Sequence, residues 1–218
     1  MDSLDSTLDS MQNNRFAALY NSMIRELTNT THLSQTEVTS LLMVYYKFVM
    51  NNGRAAKMMT KKQFYQIFLV LFNLNDMRAA DRTLLHITKH VKYVDPAGWI
   101  QLFTLFTTGD LTMRMKFAFA VYNTKGTGLI DREMISVAVE RFFIGEDEDE
   151  VMELRADMCE LIIKKFDVDK DGFISFDDYV TVVSQQPCLL EFLGRLFPSV
   201  DDQNVLAHCT NIDSLISY

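Results

Sequence analysis

The sequence predicts an all-α protein of paired helix–loop–helix units in two lobes, with short β-bridges between loops and a C-terminal helix. Three observations carry this reading. Turn formers are scarce, with 8 Gly and 3 Pro in 218 residues, which disfavours a many-stranded β fold. One segment, Asp167-Val-Asp-Lys-Asp-Gly-Phe-Ile-Ser-Phe-Asp-Asp178, has the form of a cation-binding loop between two helices. The apolar positions flanking that loop recur upstream at a near-constant period, the mark of a repeated supersecondary unit.

That segment is the EF-hand calcium loop. Asp167, Asp169 and Asp171 fall at loop positions 1, 3 and 5, Gly172 at 6 and Ile174 at 8. Carboxylates on alternate residues converge on one hard cation, the glycine permits the sharp turn after them, and the Phe173 carbonyl supplies the oxygen of position 7. Ile174 points to the core, where it can pair with the same position of a neighbouring loop. Cys159, Ile162, Ile163 and Phe166 precede the loop, and Tyr179, Val182 and Val183 follow it, apolar at helical spacing. Pro187 then ends the helix.

This template organises the chain. Residues 1–33 form an N-terminal segment, partly helical; the first 15 are polar and expected to be loose. Residues 34–108 form a lobe of two degenerate hands. In the first, Val38, Leu41, Leu42 and Tyr45 lead in and Phe64, Ile67, Phe68 and Leu71 lead out. An insertion, Asn51–Lys57, separates them and holds no ligand set. The second has Trp99, Leu102, Phe103 and Phe106 in its exit stripe and Val94 at position 8. Its loop is one residue short and carries Lys89, His90 and Lys92. Residues 109–187 form the second lobe, with a degenerate hand over 115–142 and the intact hand over 158–186. The degenerate hand keeps Gly128 and Ile130 at positions 6 and 8, but Lys125 occupies a ligand position and Met134 offers no oxygen at position 12. The residues expected just before the four exit helices are Gln63, Gly98, Met134 and Asp178, spaced 35, 36 and 44 apart. An acidic insertion, Gly145–Glu150, explains the longer last interval and reads as a solvated linker. Residues 188–218 form the C-terminal helix and tail; within them the apolar run Leu189–Phe197 is expected to pack intramolecularly.

The ordered set of features resembles one family. Hand three, the acidic insertion, hand four, Pro187–Gly194, Trp99-Ile100 and the segment His32–Phe48 together resemble calaxin, over about residues 30–200. The resemblance implies a calcium sensor of axonemal outer dynein arms in cilia and flagella, which binds dynein heavy chain and supports arm docking on doublet microtubules. Calaxins usually keep more than one calcium loop, whereas hands two and three here have lost theirs.

The expected metal ligands are Asp167, Asp169, Asp171, the Phe173 carbonyl and Asp178, forming one Ca2+ site that could also take Mg2+. Asp178 stands where a glutamate normally ligates through both oxygens; one methylene shorter, it can reach with a single oxygen, which narrows the preference for calcium over magnesium. Ser175 at position 9 can ligate directly or through water. One live site predicts a single binding isotherm.

Composition sets the exclusions. Lys plus Arg number 21 against 29 Asp plus Glu, a net charge of −8, which disfavours nucleic acid as a partner. Three cysteines with no CxxC pair read as reduced thiols of a cytoplasmic protein. The start lacks a secretory h-region, Asp2 replaces an acylatable glycine, and the most apolar windows are too short to span a bilayer. His86 and His90 stand four apart but lack further ligands for zinc. Of the 13 methionines, several lie near lobe helices, where core filling explains most. No catalytic signature occurs, so no catalytic or cofactor-binding residue is assigned and the chain is read as a non-enzyme. The functional expectation is a calcium-responsive regulatory or docking subunit, calaxin-like on axonemal outer dynein arms. The alternatives are a constitutive structural adaptor and a regulatory subunit of a soluble enzyme or channel.

Overall fold

The computed structural model describes residues 5–53, 55–71, 74, 76–90 and 92–202, and divides into two units. Unit 1 holds residues up to Thr108 together with those from Phe197 on; unit 2 is Gly109–Leu196.

Unit 1 opens with α1 (Ser10–Thr30) and α2 (Gln35–Asn51). α1 starts at an Asp9–Gln12 capping box and α2 at a Ser34–Glu37 capping box, each satisfying amides that a helix start leaves unpaired. The expectation that the first 15 residues are loose is corrected for those described: Ser10–Arg15 are helical, and Asp5, Thr7 and Asp9 are held by polar contacts. The Asp5 carboxylate pairs with the Lys47 ammonium at 2.6 Å, and Lys47 also donates to the Thr7 hydroxyl at 2.8 Å. The buried Asn13 accepts from the Asp5 amide at 3.0 Å. Phe16, Tyr20 and Ile24 form one α1 stripe against α2, whose residues 41–49 are all buried.

The first hand continues through β1 (Met59–Thr60) into α3 (Lys61–Gln66) and a π-helical turn, Ile67–Leu71. The second comprises α4 (Met77–Ile87), β2 (Tyr93–Val94) and α5 (Pro96–Thr107). β1 and β2 pair antiparallel, Met59 opposite Val94. The Tyr45 hydroxyl locks α2 to both strands: it accepts from the Met59 amide at 3.2 Å and donates to the Val94 carbonyl at 2.7 Å. Trp99 is fully buried and donates its indole N–H to the Leu41 carbonyl at 2.9 Å. α4 ends at Ile87, so His90 lies beyond the helix and shares no face with His86.

Unit 2 comprises α6 (Leu111–Tyr122), β3 (Leu129–Ile130), α7 (Arg132–Val139), α8 (Glu148–Phe166), β4 (Ile174–Ser175) and α9 (Phe176–Gln185). β3 and β4 pair antiparallel with Ile130 opposite Ile174, as position 8 requires. The acidic insertion is no linker. Asp147 caps α8, and Glu148, Asp149 and Glu150 are its first turn, where carboxylates complement the helix dipole. Arg155 closes the α7–α8 connection by donating to the Glu140 and Phe143 carbonyls, each at 2.8 Å. α7 ends at Val139, short of the expected end of this hand at 142, and Phe142 is exposed.

After α9 the chain makes a 3-10 turn, Pro187–Leu189, and further turns to Gly194, and helical backbone resumes at Val200. The rest of the expected C-terminal helix and tail, from residue 203, lies outside the described residues. None of the described helices is long and apolar enough to cross a membrane.

Candidate metal centre

The exit helices begin earlier than the spacing suggested. Loop position 9 is the N-cap in every hand: Thr60, Asp95, Asp131 and Ser175 each accept from the amide three residues on. Gln63, Gly98, Met134 and Asp178, expected to precede the helices, therefore sit in their first turns.

In hand four α8 ends at Phe166 and the loop folds onto its own carboxylates. Asp167 accepts from the Asp171 amide at 3.1 Å and from the Gly172 amide at 3.0 Å. Asp169 accepts from the Asp171 amide at 3.3 Å, and Asp171 from the Phe173 amide at 2.8 Å. Lys170 and Gly172 take φ of 62° and 87°. A Cβ at Gly172 would meet nothing within 4 Å, so the left-handed backbone, not crowding, calls for glycine there.

Asp167, Asp169 and Asp171 each bring a carboxylate oxygen into a group whose members lie within 4.8 Å of one another. Among the described residues this is the one such acidic cluster. Phe173 follows in the turn, with its ring partly exposed. Asp178 stands apart from the cluster: buried, it closes a capping box on Ser175, and its Oδ2 accepts from the Ser175 amide at 2.9 Å and hydroxyl at 2.5 Å. Both bonds fall on one oxygen. The donor set is all oxygen and carboxylate-rich, the chemistry a hard divalent cation takes. Electrostatics agree with it. Partial desolvation and the like charges of Asp171, Asp178 and Asp167 hold the Asp169 carboxyl above its ordinary value of 3.8, against the amide bond from Asp171. A bound cation relieves that crowding.

The other three loops each make contacts of their own at ligand positions. In hand three the Lys125 ammonium sits at position 3 and pairs with Asp131 at 2.5 Å and Glu133 at 2.6 Å. An ammonium at a ligand position thus pairs with the loop's own acidic side chains, and Met134 fills core volume. In hand two a Cβ at Gly98 would fall 2.1 Å from the Ile87 carbonyl oxygen. The shortened loop brings position 12 against the incoming helix, and no ligand side chain fits there.

Hand one corrects the sequence reading. Residues 51–57 are no insertion. With Met59 at position 8, the loop runs from Asn52 to Gln63, an ordinary twelve residues. Asn52 donates its side-chain amide to Gln63 at 2.7 Å, joining positions 1 and 12 directly. Counting seven residues back from Met59 identifies Asn52, but the absence of carboxylates hid the frame.

Residues 112–184 match the EF-hand domain pair. The chain is 30% identical to the calaxin of Homo sapiens over 182 residues, 80% of this chain and 85% of that protein. It is 30% identical to the calaxin of Danio rerio over 186 residues, 81% of this chain and 85% of the relative. A more distant match, 25% identical over 104 residues, is the guanylyl cyclase-activating protein 1 of Lithobates pipiens, covering 47% of this chain and 50% of that one.

Proposed function

The chain belongs to the calaxin family of calcium-binding EF-hand proteins, and on that premise we propose that it is a non-enzymatic regulatory or docking subunit of axonemal outer dynein arms, with one cation site in hand four. The observation that carries the site is the convergence of the Asp167, Asp169 and Asp171 carboxylates in a loop framed by α8 and α9. The Phe173 carbonyl and the free oxygen of Asp178 complete the ligand set. Asp178 keeps its capping bonds to Ser175 through Oδ2 and ligates through Oδ1, which fits one-oxygen rather than bidentate coordination. Calcium is the physiological ion, and magnesium competes more closely than it does at a glutamate-closed loop.

The partner is a protein, dynein heavy chain or a docking component, and the location is the axoneme of a cilium or flagellum. A membrane or nucleic acid plays no part in this reading. The test is calorimetry with calcium and magnesium on the wild type and Asp167→Ala. One calcium per chain, abolished by Asp167→Ala and persisting in millimolar magnesium, supports a sensor. A second calcium per chain sinks the one-site reading.

One feature favours a second reading, a constitutive adaptor. An amide pair spans the loop of hand one and a helix contact closes hand two, so unit 1 holds its hands together without an ion's ligands. Absence of calcium binding in that experiment would leave the adaptor standing.

A further inference from the structure

Residues 187–196 are not part of any helix–loop–helix pair, yet they are seated on the two residues that bracket the hand-four loop. Phe166 directly precedes Asp167, and Tyr179 directly follows Asp178. The Phe192 ring stacks on Phe166 with centroids 4.1 Å apart, and lies 5.6 Å from Tyr179 and 5.3 Å from Tyr122. Hydrogen bonds fix the backbone around it. Tyr179 donates its hydroxyl to the Leu190 carbonyl at 2.7 Å and Tyr122 to the Gly194 carbonyl at 2.6 Å. The Arg141 guanidinium donates to the Leu193 carbonyl. Leu190, Leu193 and Leu196 are buried.

We propose that residues 187–196 act as an intramolecular ligand of the hand-four helix pair, and that their seating and cation binding at the loop reinforce each other. The proposal rests on the reading of hand four as a cation site. A cation draws on Asp167 and Asp178, at the two ends of the loop. The adjoining residues, Phe166 and Tyr179, carry the rings that hold Phe192. A segment that fixes those rings also fixes the two ends of the loop. The structure holds the seated segment together with the converged carboxylates of Asp167, Asp169 and Asp171, so seating accompanies a loop whose first three ligands already face one another. Unseating frees α8 and α9 to separate, and the cation must then assemble its ligands at an entropic cost.

Coupling between two binding events is reciprocal. If the segment raises cation affinity by some factor, the cation favours seating by the same factor. Cation loading then holds residues 187–196 on Phe166 and Tyr179 against a competing segment, and a partner that pulls them away weakens the hold on the cation.

The test uses the full chain. Calcium is titrated calorimetrically into the wild type, Phe192→Ala and Gly194→Ala, and amide exchange over 187–196 is followed with and without calcium. Gly194 has φ 114°, and a Cβ there would fall 2.9 Å from an Arg141 guanidinium nitrogen. Gly194→Ala therefore strains the backbone of the segment and displaces the Arg141 guanidinium that donates to Leu193, without altering any hand-four side chain; amide exchange over 187–196 confirms the loosened seat, and far-UV dichroism verifies that both variants stay folded. Both variants are expected to bind calcium about five-fold more weakly or worse, still one per chain. Calcium is expected to slow wild-type exchange over 187–196. Unchanged or tighter binding by Gly194→Ala, or exchange over 187–196 that ignores calcium while the loop 167–178 is protected, overturns the coupling and leaves the site intact. A wild type that takes up no calcium overturns the site reading, and the coupling with it.

Discussion

Asn52 and Gln63 are joined side chain to side chain at 2.7 Å, across the first and last positions of the hand-one loop. Those two positions meet through an ion in a cation-binding hand. Here an amide bond spans them, and Gln63 also donates to the Phe48 carbonyl at 2.6 Å and accepts from the Thr60 amide at 3.0 Å. Gln63→Ala removes this hub and leaves the buried Phe48 carbonyl without that donor. The expected loss is about 2 kcal/mol, read by urea denaturation, with the number of bound cations unchanged.

Gly98 meets the Ile87 carbonyl oxygen where its Cβ would be, at 2.1 Å. The obstacle is backbone, so no rotamer relieves it. Gly98→Ala is expected to cost about 3 kcal/mol or more. A thermal midpoint within a degree or two of the wild type would show that α4 and α5 are not held at this separation.

The frame of hand three is intact: Ile130 pairs with Ile174, Gly128 holds φ 82° and Asp131 caps α7. What it lacks is ligands, because Lys125 supplies the positive charge internally. The double variant Lys125→Asp, Met134→Glu restores carboxylates at positions 3 and 12. It is expected to raise bound calcium by one equivalent per chain, counted by calorimetry; an unchanged count places the defect in the backbone rather than in the two side chains.

Asp169 is the crowded carboxylate of hand four. Its folded pKa is raised by partial desolvation and by its like-charged neighbours, so the cation-free protein bears a penalty for the ionised group above its ordinary 3.8, absent below that value where the group is protonated in both states. Asp169→Asn should therefore raise the thermal midpoint without cations near neutral pH and weaken calcium binding. Calcium affinity of the wild type should fall as pH drops toward the carboxylate range. Parallel movement of stability and affinity in Asp169→Asn would falsify the repulsion account.

Asp5 and Lys47 have side chains only 11% and 9% exposed. Burial works to raise the Asp5 carboxyl, but the Lys47 ammonium and the Thr7 bonds outweigh it and hold it below 3.8. A depressed folded value means the pair's stabilisation is present above 3.8 and is lost as pH falls through the folded value. Asp5→Ala removes the carboxylate that faces the buried Lys47 ammonium and is expected to cost about 3 kcal/mol at neutral pH. The cost should shrink as pH falls below 3.8, as followed by denaturation at a series of pH values from 7 downward.

Much of this was legible in the chain. The hand-four carboxylates, the glycine after them and Ile174 lie within twelve consecutive residues, where the backbone conformation of one loop decides their placement. The apolar offsets of the helices were legible for the same reason, since they follow from helical period alone. The lost frames were harder. Hand one looked like an insertion because its closing pair is two amides, a chemistry no ligand pattern searches for.

Sequence alone determined that this is a repeat of helix–loop–helix units with one carboxylate-rich loop, because both depend on short-range spacing. Tertiary structure decided how the other loops close, that Asp178 rests on Ser175, and that Phe192 sits against Phe166 and Tyr179. The physical reason is that a closing or seating contact joins groups brought together only after the helices have packed. A side chain such as Gln63 or Phe192 has several chemically acceptable partners until packing leaves it one neighbourhood.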